Sequence, residues 1–266
     1  MKIIQLTDTH LMPPGHPAYG VDPEAQLRAA MADILADHAD ADLLVITGDL
    51  SDRGDPEAYA LLRDILAPLP CPVRLMLGNH DHRPAFLEAF PDHPRDEGGY
   101  VQSVLDTRWG RLLFLDTHEA GVIGGIYGPD RLAWLDAALA GAGDRPVTVF
   151  LHHPPVSDGI RHFRDIGLHD DGAVLRRLAA HPGGVRHIVF GHIHTPLTGT
   201  TAEGIAFSSG QSCTHRFITN IDLPDPWWTG GNPCYRILTL DDGGFRAYGV
   251  EVGQVPTGRS EPCAGP

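Results

Sequence analysis

The sequence is poor in cysteine, in basic residues and in long apolar runs. Its four cysteines, Cys71, Cys213, Cys234 and Cys263, form no Cys-x-x-Cys pair and keep no regular spacing. A zinc-thiolate site and a disulfide framework are therefore not expected. Lys and Arg number 20 against 34 Asp and Glu, so the formal net charge is −14. A nucleic-acid polymer needs a basic face to neutralise its phosphates, and an anionic membrane surface needs the same. Neither is an expected partner. No stretch approaches the length of a membrane span, and residues 1–8 are too short an apolar run for a secretory segment. Cytoplasmic residence is the expectation. With 266 residues and 42% apolar side chains the chain suits one large domain with an ordinary core. Histidine is the excess: there are 16, and His is the commonest metal ligand and a base that titrates near neutrality.

Short apolar runs recur at 2–7, 42–47, 72–77, 101–105, 111–115, 146–151 and 185–190. They are rich in Val, Ile and Leu with little alternation, the pattern of strands covered on both faces. Helical patterns lie between them. Asp22-Pro23-Glu24 opens one over 22–38, with Leu27, Met31, Ile34 and Leu35 on its inner face. Asp55-Pro56-Glu57 opens the next, Pro129-Asp130 begins a third, and a fourth runs over 172–181. Strand alternating with helix predicts an α/β layered core. After residue 195 the pattern becomes short strands, at 204–208, 235–240 and 245–250. Residues 209–233, with Trp227 and Trp228, fit neither period and read as an excursion that covers something, a cap or a dimerisation segment. A domain over 1–252 and a frayed tail over 253–266 complete the expectation, and a homo-oligomer would suit exposed Trp in that last third.

Chemistry follows the strands. The first run ends in Asp8-Thr9-His10, the second in Gly48-Asp49, the third in Gly78-Asn79-His80-Asp81, and later ones in His152-His153-Pro154-Pro155 and Gly191-His192-Ile193-His194. In an open α/β sheet the carboxyl ends of parallel strands share one edge, where ligand sites form. Imidazole and carboxylate without thiolate suit an open catalytic site for a divalent transition metal. Asp8, His10, Asp49, Asn79, His152, His192 and His194 are too many for one ion, and two ions sharing a carboxylate would use them all. Such a pair clamps the oxygens of a phosphoryl centre and generates hydroxide at neutral pH. Taken singly, Asp8-Thr9-His10 and Gly48-Asp49 are ordinary turn sequences. Five in succession at strand ends are not.

In this order the blocks resemble the calcineurin-like metallophosphoesterases over about residues 1–210. His152-His153-Pro154-Pro155 and Leu132-Ala133-Trp134-Leu135 resemble the bacterial phosphodiesterase branch, which includes cyclic-nucleotide and glycerophosphodiester phosphodiesterases. The resemblance implies a four-layer α/β/β/α sandwich. It implies that Asp8, His10 and His194 hold a first metal, Asn79, His152 and His192 a second, and that Asp49 bridges them, with His152 rather than His153 in the ligand position. It further implies that a hydroxide attacks the phosphorus of a small phosphodiester while His80 assists the leaving oxygen, that Asp52 orients His80, and that Arg53, Asn79 and His215 meet the phosphate or the rest of the substrate. Mn²⁺, Fe²⁺, Zn²⁺ or Co²⁺ would serve such a mixed nitrogen and oxygen set. A phosphomonoesterase on the same site is the nearest alternative, and a noncatalytic scaffold the more distant one. His16, His38, His93, His162, His169, His181 and His187 read as solvated loop or helix-end residues, Asp81 as a cap for the following helix, and Trp134 as packing.

Overall fold

The computed structural model describes residues 1–156, 159–169, 171–220 and 222–254. Three parallel strands, β1 (Lys2–Leu6), β2 (Leu43–Ile46) and β3 (Val73–Leu75), are linked by α1 (Pro23–Asp37) and α2 (Pro56–Leu66), and α3 (Arg83–Ala89) follows. Then come β4 (Ser103–Thr107), β5 (Gly110–Phe114), α4 (Pro129–Ala142), β6 (Val147–Phe150), α5 (Asp171–Ala179) and β7 (Val185–Phe190). The remainder is all strand: β8 (Leu197–Thr200), β9 (Ala206–Ser209), β10 (Arg216–Phe217), β11 (Trp228–Thr229), β12 (Cys234–Asp241) and β13 (Gly244–Glu251). One sheet has the order β13-β12-β1-β2-β3 and the other β4-β5-β6-β7-β9-β8. Strands β5, β6, β7 and β9 are parallel, and antiparallel strands close the edges.

The unalternating runs have a simple cause. Side chains of a strand point to opposite faces in turn, and here both faces are covered. In β2, Leu44 and Ile46 enter a core shared with α1 and α2, while Leu43 and Val45 enter a second core where the two sheets meet. In β5, Leu113 faces α4 and α5, and Leu112 and Phe114 turn inward. The layers are therefore helix, sheet, sheet, helix, as expected. Asp22 caps α1 by accepting from Ala25 N at 3.1 Å, with Pro23 at the first helical position.

Three features differ from the sequence reading. Strand β8 was not expected, because its only partly buried apolar residue is Leu197 and the other three are exposed. His93, His181 and His187 are not solvated. His93 Nε2 lies 2.9 Å from Leu75 O, His181 Nε2 lies 2.8 Å from Arg145 O, and His187 stacks on Phe245 with ring centroids 4.0 Å apart. The 209–233 excursion contains the β10–β11 ribbon and runs back across the ends of the parallel strands. Of the tail, residues 255–266 lie outside the described residues, as does the side chain of His162. Among the described residues no helix is long and apolar enough to cross a membrane.

Candidate metal centre

The parallel strands β1, β2, β3, β6 and β7 end along one edge, and the residues just past those ends converge. Asp8, His10, Asp49, His192 and His194 all take left-handed backbone angles, with φ of 54°, 42°, 49°, 70° and 50°. For residues other than glycine such angles cost of order 1–3 kcal/mol each and persist only where surroundings impose them. Here the turns are held by the neighbouring loops: Asp8 N donates to Gly48 O, His10 N to Asp49 O, and His192 N to Asp8 Oδ1 at 3.1 Å. Glycine is needed where these loops cross. A Cβ on Gly78 would strike Asp49 Oδ1 and His152 Nε2, and one on Gly191 would strike Thr7 Oγ1.

The ligand candidates are oriented from behind. His152 Nδ1 donates to Thr47 O at 2.7 Å, His194 Nδ1 to His215 O at 3.0 Å, and His10 Nδ1 to Asp52 Oδ1 at 3.0 Å. Each bond puts a proton on Nδ1 and turns Nε2 inward. Asp8, His10, Asp49 and His194 offer donor atoms within 4.8 Å of one another. Beside them, His152 Nε2 lies 3.4 Å from Asp49 Oδ2 and 3.3 Å from Asn79 Oδ1. The inward lone pairs of His10 and His194 confront each other at 3.1 Å, and His192 Nε2 is buried with no partner among the described residues. Inward-facing nitrogens and carboxylate oxygens so close together suit a cation, so the set fits metal ions. His153 differs, because Thr117 Oγ1 at 2.7 Å and Ile123 O at 3.1 Å occupy both of its nitrogens.

Burial works against ionisation of Asp8 and Asp49, but His194 and His152 beside the first and His152, His80 and His10 around the second outweigh it and hold both carboxyls below the usual range. Burial also works against the charge on His152, which Asp49 nevertheless raises to about 9, whereas burial and the neighbouring His152 take His192 down to about 3.

His80 sits at the mouth of this cluster. Its amide donates to Asp49 Oδ1 at 2.9 Å and its Nδ1 to Asp52 O at 2.8 Å. The Asp52 carboxylate, 3.7 Å from His80 Nδ1, is bonded to His10 instead. Arg53 does not line the cavity, its side chain is 70% exposed, and its Nε lies 3.7 Å from Asp52 Oδ2. His215 does line it and stacks on Tyr19 at 3.9 Å. Asp81 caps nothing. It accepts from Gly78 N, Leu50 N, Ser51 N and Tyr59 OH, tying the loop after β2 to the loop after β3.

A cavity of about 180 Å³ opens over His10, Asp49, Asn79, His80, His192 and His194. The sequence reading missed its other lining residues Tyr19, Ile123, Phe163, Ile166, Phe217 and Pro226, whereas Trp228, which it placed in a covering excursion, lines the cavity too. It also missed His118, buried beneath Gly78 in the loop after β5. The signal was present, because Asp116-Thr117-His118 repeats the Asp-x-His pattern of residues 8–10 at another strand end. Asp116 is taken, however, by Arg83 at 3.0 Å.

A family model described as calcineurin-like phosphoesterase matches residues 1–196. The chain is 38% identical to a protein of Rhodopseudomonas palustris named "Probable cyclic nucleotide phosphodiesterase", over 81% of this chain and 79% of that one. It is 33% identical to a glycerophosphodiester phosphodiesterase of Enterobacter lignolyticus, over 81% of this chain and 78% of the relative. Among solved structures, a dimetal phosphatase from Danio rerio superposes with a TM-score of 0.69 at 15% identity, covering 95% of this chain and 99% of the other, a likeness of fold.

Proposed function

The chain belongs to the calcineurin-like phosphoesterase family, and from that premise we propose that it hydrolyses small phosphodiesters, of the cyclic-nucleotide or glycerophosphodiester class, at a centre of two divalent metal ions. The observation that carries this is the place of Asp49, whose Oδ2 lies 3.6 Å from His10 Nε2 on one side and 3.4 Å from His152 Nε2 on the other. Asp8, His10 and His194 would hold one ion, Asn79, His152 and His192 the second, and Asp49 both. Bound there, the ions supply Lewis acidity and lower the pKa of water. Mn²⁺, Fe²⁺, Zn²⁺ and Co²⁺ all suit these ligands, and availability decides among them.

The chain's own residues do the rest. Water adds its oxygen to phosphorus and gives up one proton to solvent, the ester P–O bond breaks, and the departing alkoxide needs a proton. His80 supplies it from Nε2, since its Nδ1 is committed to the Asp52 carbonyl. Among the described residues no Lys or Arg lines the cavity. That favours a monoanionic diester over a dianionic monoester, whose extra charge would go unmet.

The test compares a bis-aryl phosphate diester with an aryl monophosphate on metal-reconstituted and chelated protein. Diester turnover should vanish on chelation and return with metal. Asp49→Ala should lose metal and activity together, whereas His80→Ala should keep its metal while kcat falls about 10²–10⁴-fold. Full activity of the metal-free protein, or a strong preference for the monoester, overturns the reading.

A further inference from the structure

The cavity has two unlike halves. Opposite the imidazole and carboxylate floor stands a wall made of Ile123, Phe163, Ile166, Phe217, Pro226 and Trp228. Three separate segments build it: the loop before α4, the turn around Arg161–Phe163, and the β10–β11 ribbon. Phe217 and Trp228 are directly paired across that ribbon. Paired residues present their side chains on one face, and this face lines the cavity. Trp227 lies just before β11, is 61% exposed and is not among the lining residues.

The wall is well placed and incompletely covered. Phe163 meets Phe217 at 4.9 Å, and Phe217 meets His194 at 4.9 Å, so the wall rises directly from a candidate ligand. Trp228 meets Tyr19 edge-on at 5.7 Å, and Tyr19 in turn lies 5.6 Å from His10. Yet Trp228 is 49% exposed. A large indole left half in water at the mouth of a polar site is surface that a ligand can cover.

We propose that Trp228, backed by Phe217, is the platform on which the nucleobase of a 3',5'-cyclic nucleotide stacks while its phosphate lies on the floor. This rests on the phosphodiesterase reading above and narrows it. A nucleobase presents a flat aromatic face, and stacking on an aromatic side chain is worth about 1–3 kcal/mol. The hydroxyls of a glycerol group find no acceptor on these side chains, and an ethanolamine ammonium finds no carboxylate. Apart from the indole N–H of Trp228 these side chains carry no hydrogen-bonding group, so the wall reads mainly the face of the base, and cyclic AMP and cyclic GMP should have KM values within about fivefold of each other.

The experiment uses the zinc-loaded full chain, Trp228→Ala and Trp228→Phe, with cyclic AMP, cyclic GMP, glycerophosphoethanolamine and glycerophosphocholine as substrates. Trp228→Ala should raise KM for both cyclic nucleotides about tenfold, with kcat far less affected. The ratio of kcat/KM for cyclic AMP over glycerophosphoethanolamine should fall by the same factor, and Trp228→Phe should restore most of it. Cyclic AMP should also quench the tryptophan fluorescence of the wild type saturably, and this should be lost in Trp228→Ala. An equal KM rise for all diesters would make Trp228 a general part of the entrance and overturn the platform. So would unchanged KM and quenching in Trp228→Ala, or dependence on Trp228 confined to glycerophosphocholine, the mark of a choline cage. If no diester is turned over, the parent reading fails, and the quenching alone decides the platform.

Discussion

The carboxylate of Asp52 holds His10, with Oδ1 3.0 Å from Nδ1, while the backbone carbonyl of the same residue holds His80 at 2.8 Å. One residue thus aligns a candidate metal ligand through its side chain and the proposed acid through its main chain. Asp52→Ala removes only the first of these. Metal affinity should fall about 10–100-fold, the usual effect of losing such a supporting partner, while kcat at saturating metal stays within a few-fold. Metal titration by calorimetry, with kcat measured at saturation, separates the two. A loss of 10²-fold or more in saturated kcat would mean that the carboxylate acts on His80 after all.

Asp81 is buried and accepts three backbone N–H groups and the Tyr59 hydroxyl. Asp81→Ala leaves those donors unsatisfied inside the protein, and each costs about 1–3 kcal/mol. The variant should lose about 3 kcal/mol or more of stability in urea unfolding. A loss below about 1 kcal/mol would show that water replaces the carboxylate at this junction.

Gly78 approaches the site closely without needing an unusual backbone angle. In Gly78→Ala the added Cβ meets Asp49 Oδ1 and comes within 2.6 Å of His152 Nε2. Asp49 has to move, and it is the residue common to both proposed ions. Circular dichroism should report a folded protein whose bound metal, by elemental analysis, falls well below two ions per chain. Retention of both ions would show that the loop yields more easily than the packing suggests.

Burial, and after it the neighbouring Arg236, push His187 down from its ordinary 6.5 to about 4. The unfolded chain therefore takes up a proton below about pH 6.5 that the folded chain refuses until about pH 4. Stability falls as pH drops through that window, and above it this residue contributes no slope. At pH 5 the effect is about 1–2 kcal/mol. His187→Gln, although it loses the stack on Phe245, should show a flatter fall in urea midpoint between pH 7.5 and pH 5 than the wild type. Equal slopes in the two proteins would contradict it.

Much of the molecule is legible in the chain because its logic is local. Leu43 to Ile46 read as a strand covered on both faces because each face has its own core. The turns after the strands read as ligand loops because imidazole and carboxylate donors recur at five successive strand ends. Where local patterns repeat, locality fails. Asp116-Thr117-His118 looks like Asp8-Thr9-His10, but Arg83, brought in by α3, claims Asp116. His93, His181 and His187 look like surface residues, and only the packing of strands and loops distant in sequence buries them.

The order of strands and helices, the ligand residue types and the five strand ends that carry them were determined by the sequence itself, through the periodicity of apolar residues and the turn chemistry that punctuates it. The tertiary structure alone decided which nitrogen of each imidazole faces inward, since that depends on oxygens of Thr47, Asp52 and His215 contributed by other loops. It also decided that Trp228 rather than Trp227 lines the cavity. Which indole meets the site depends on where the β10–β11 ribbon comes to rest, and contacts far apart in the chain set that position.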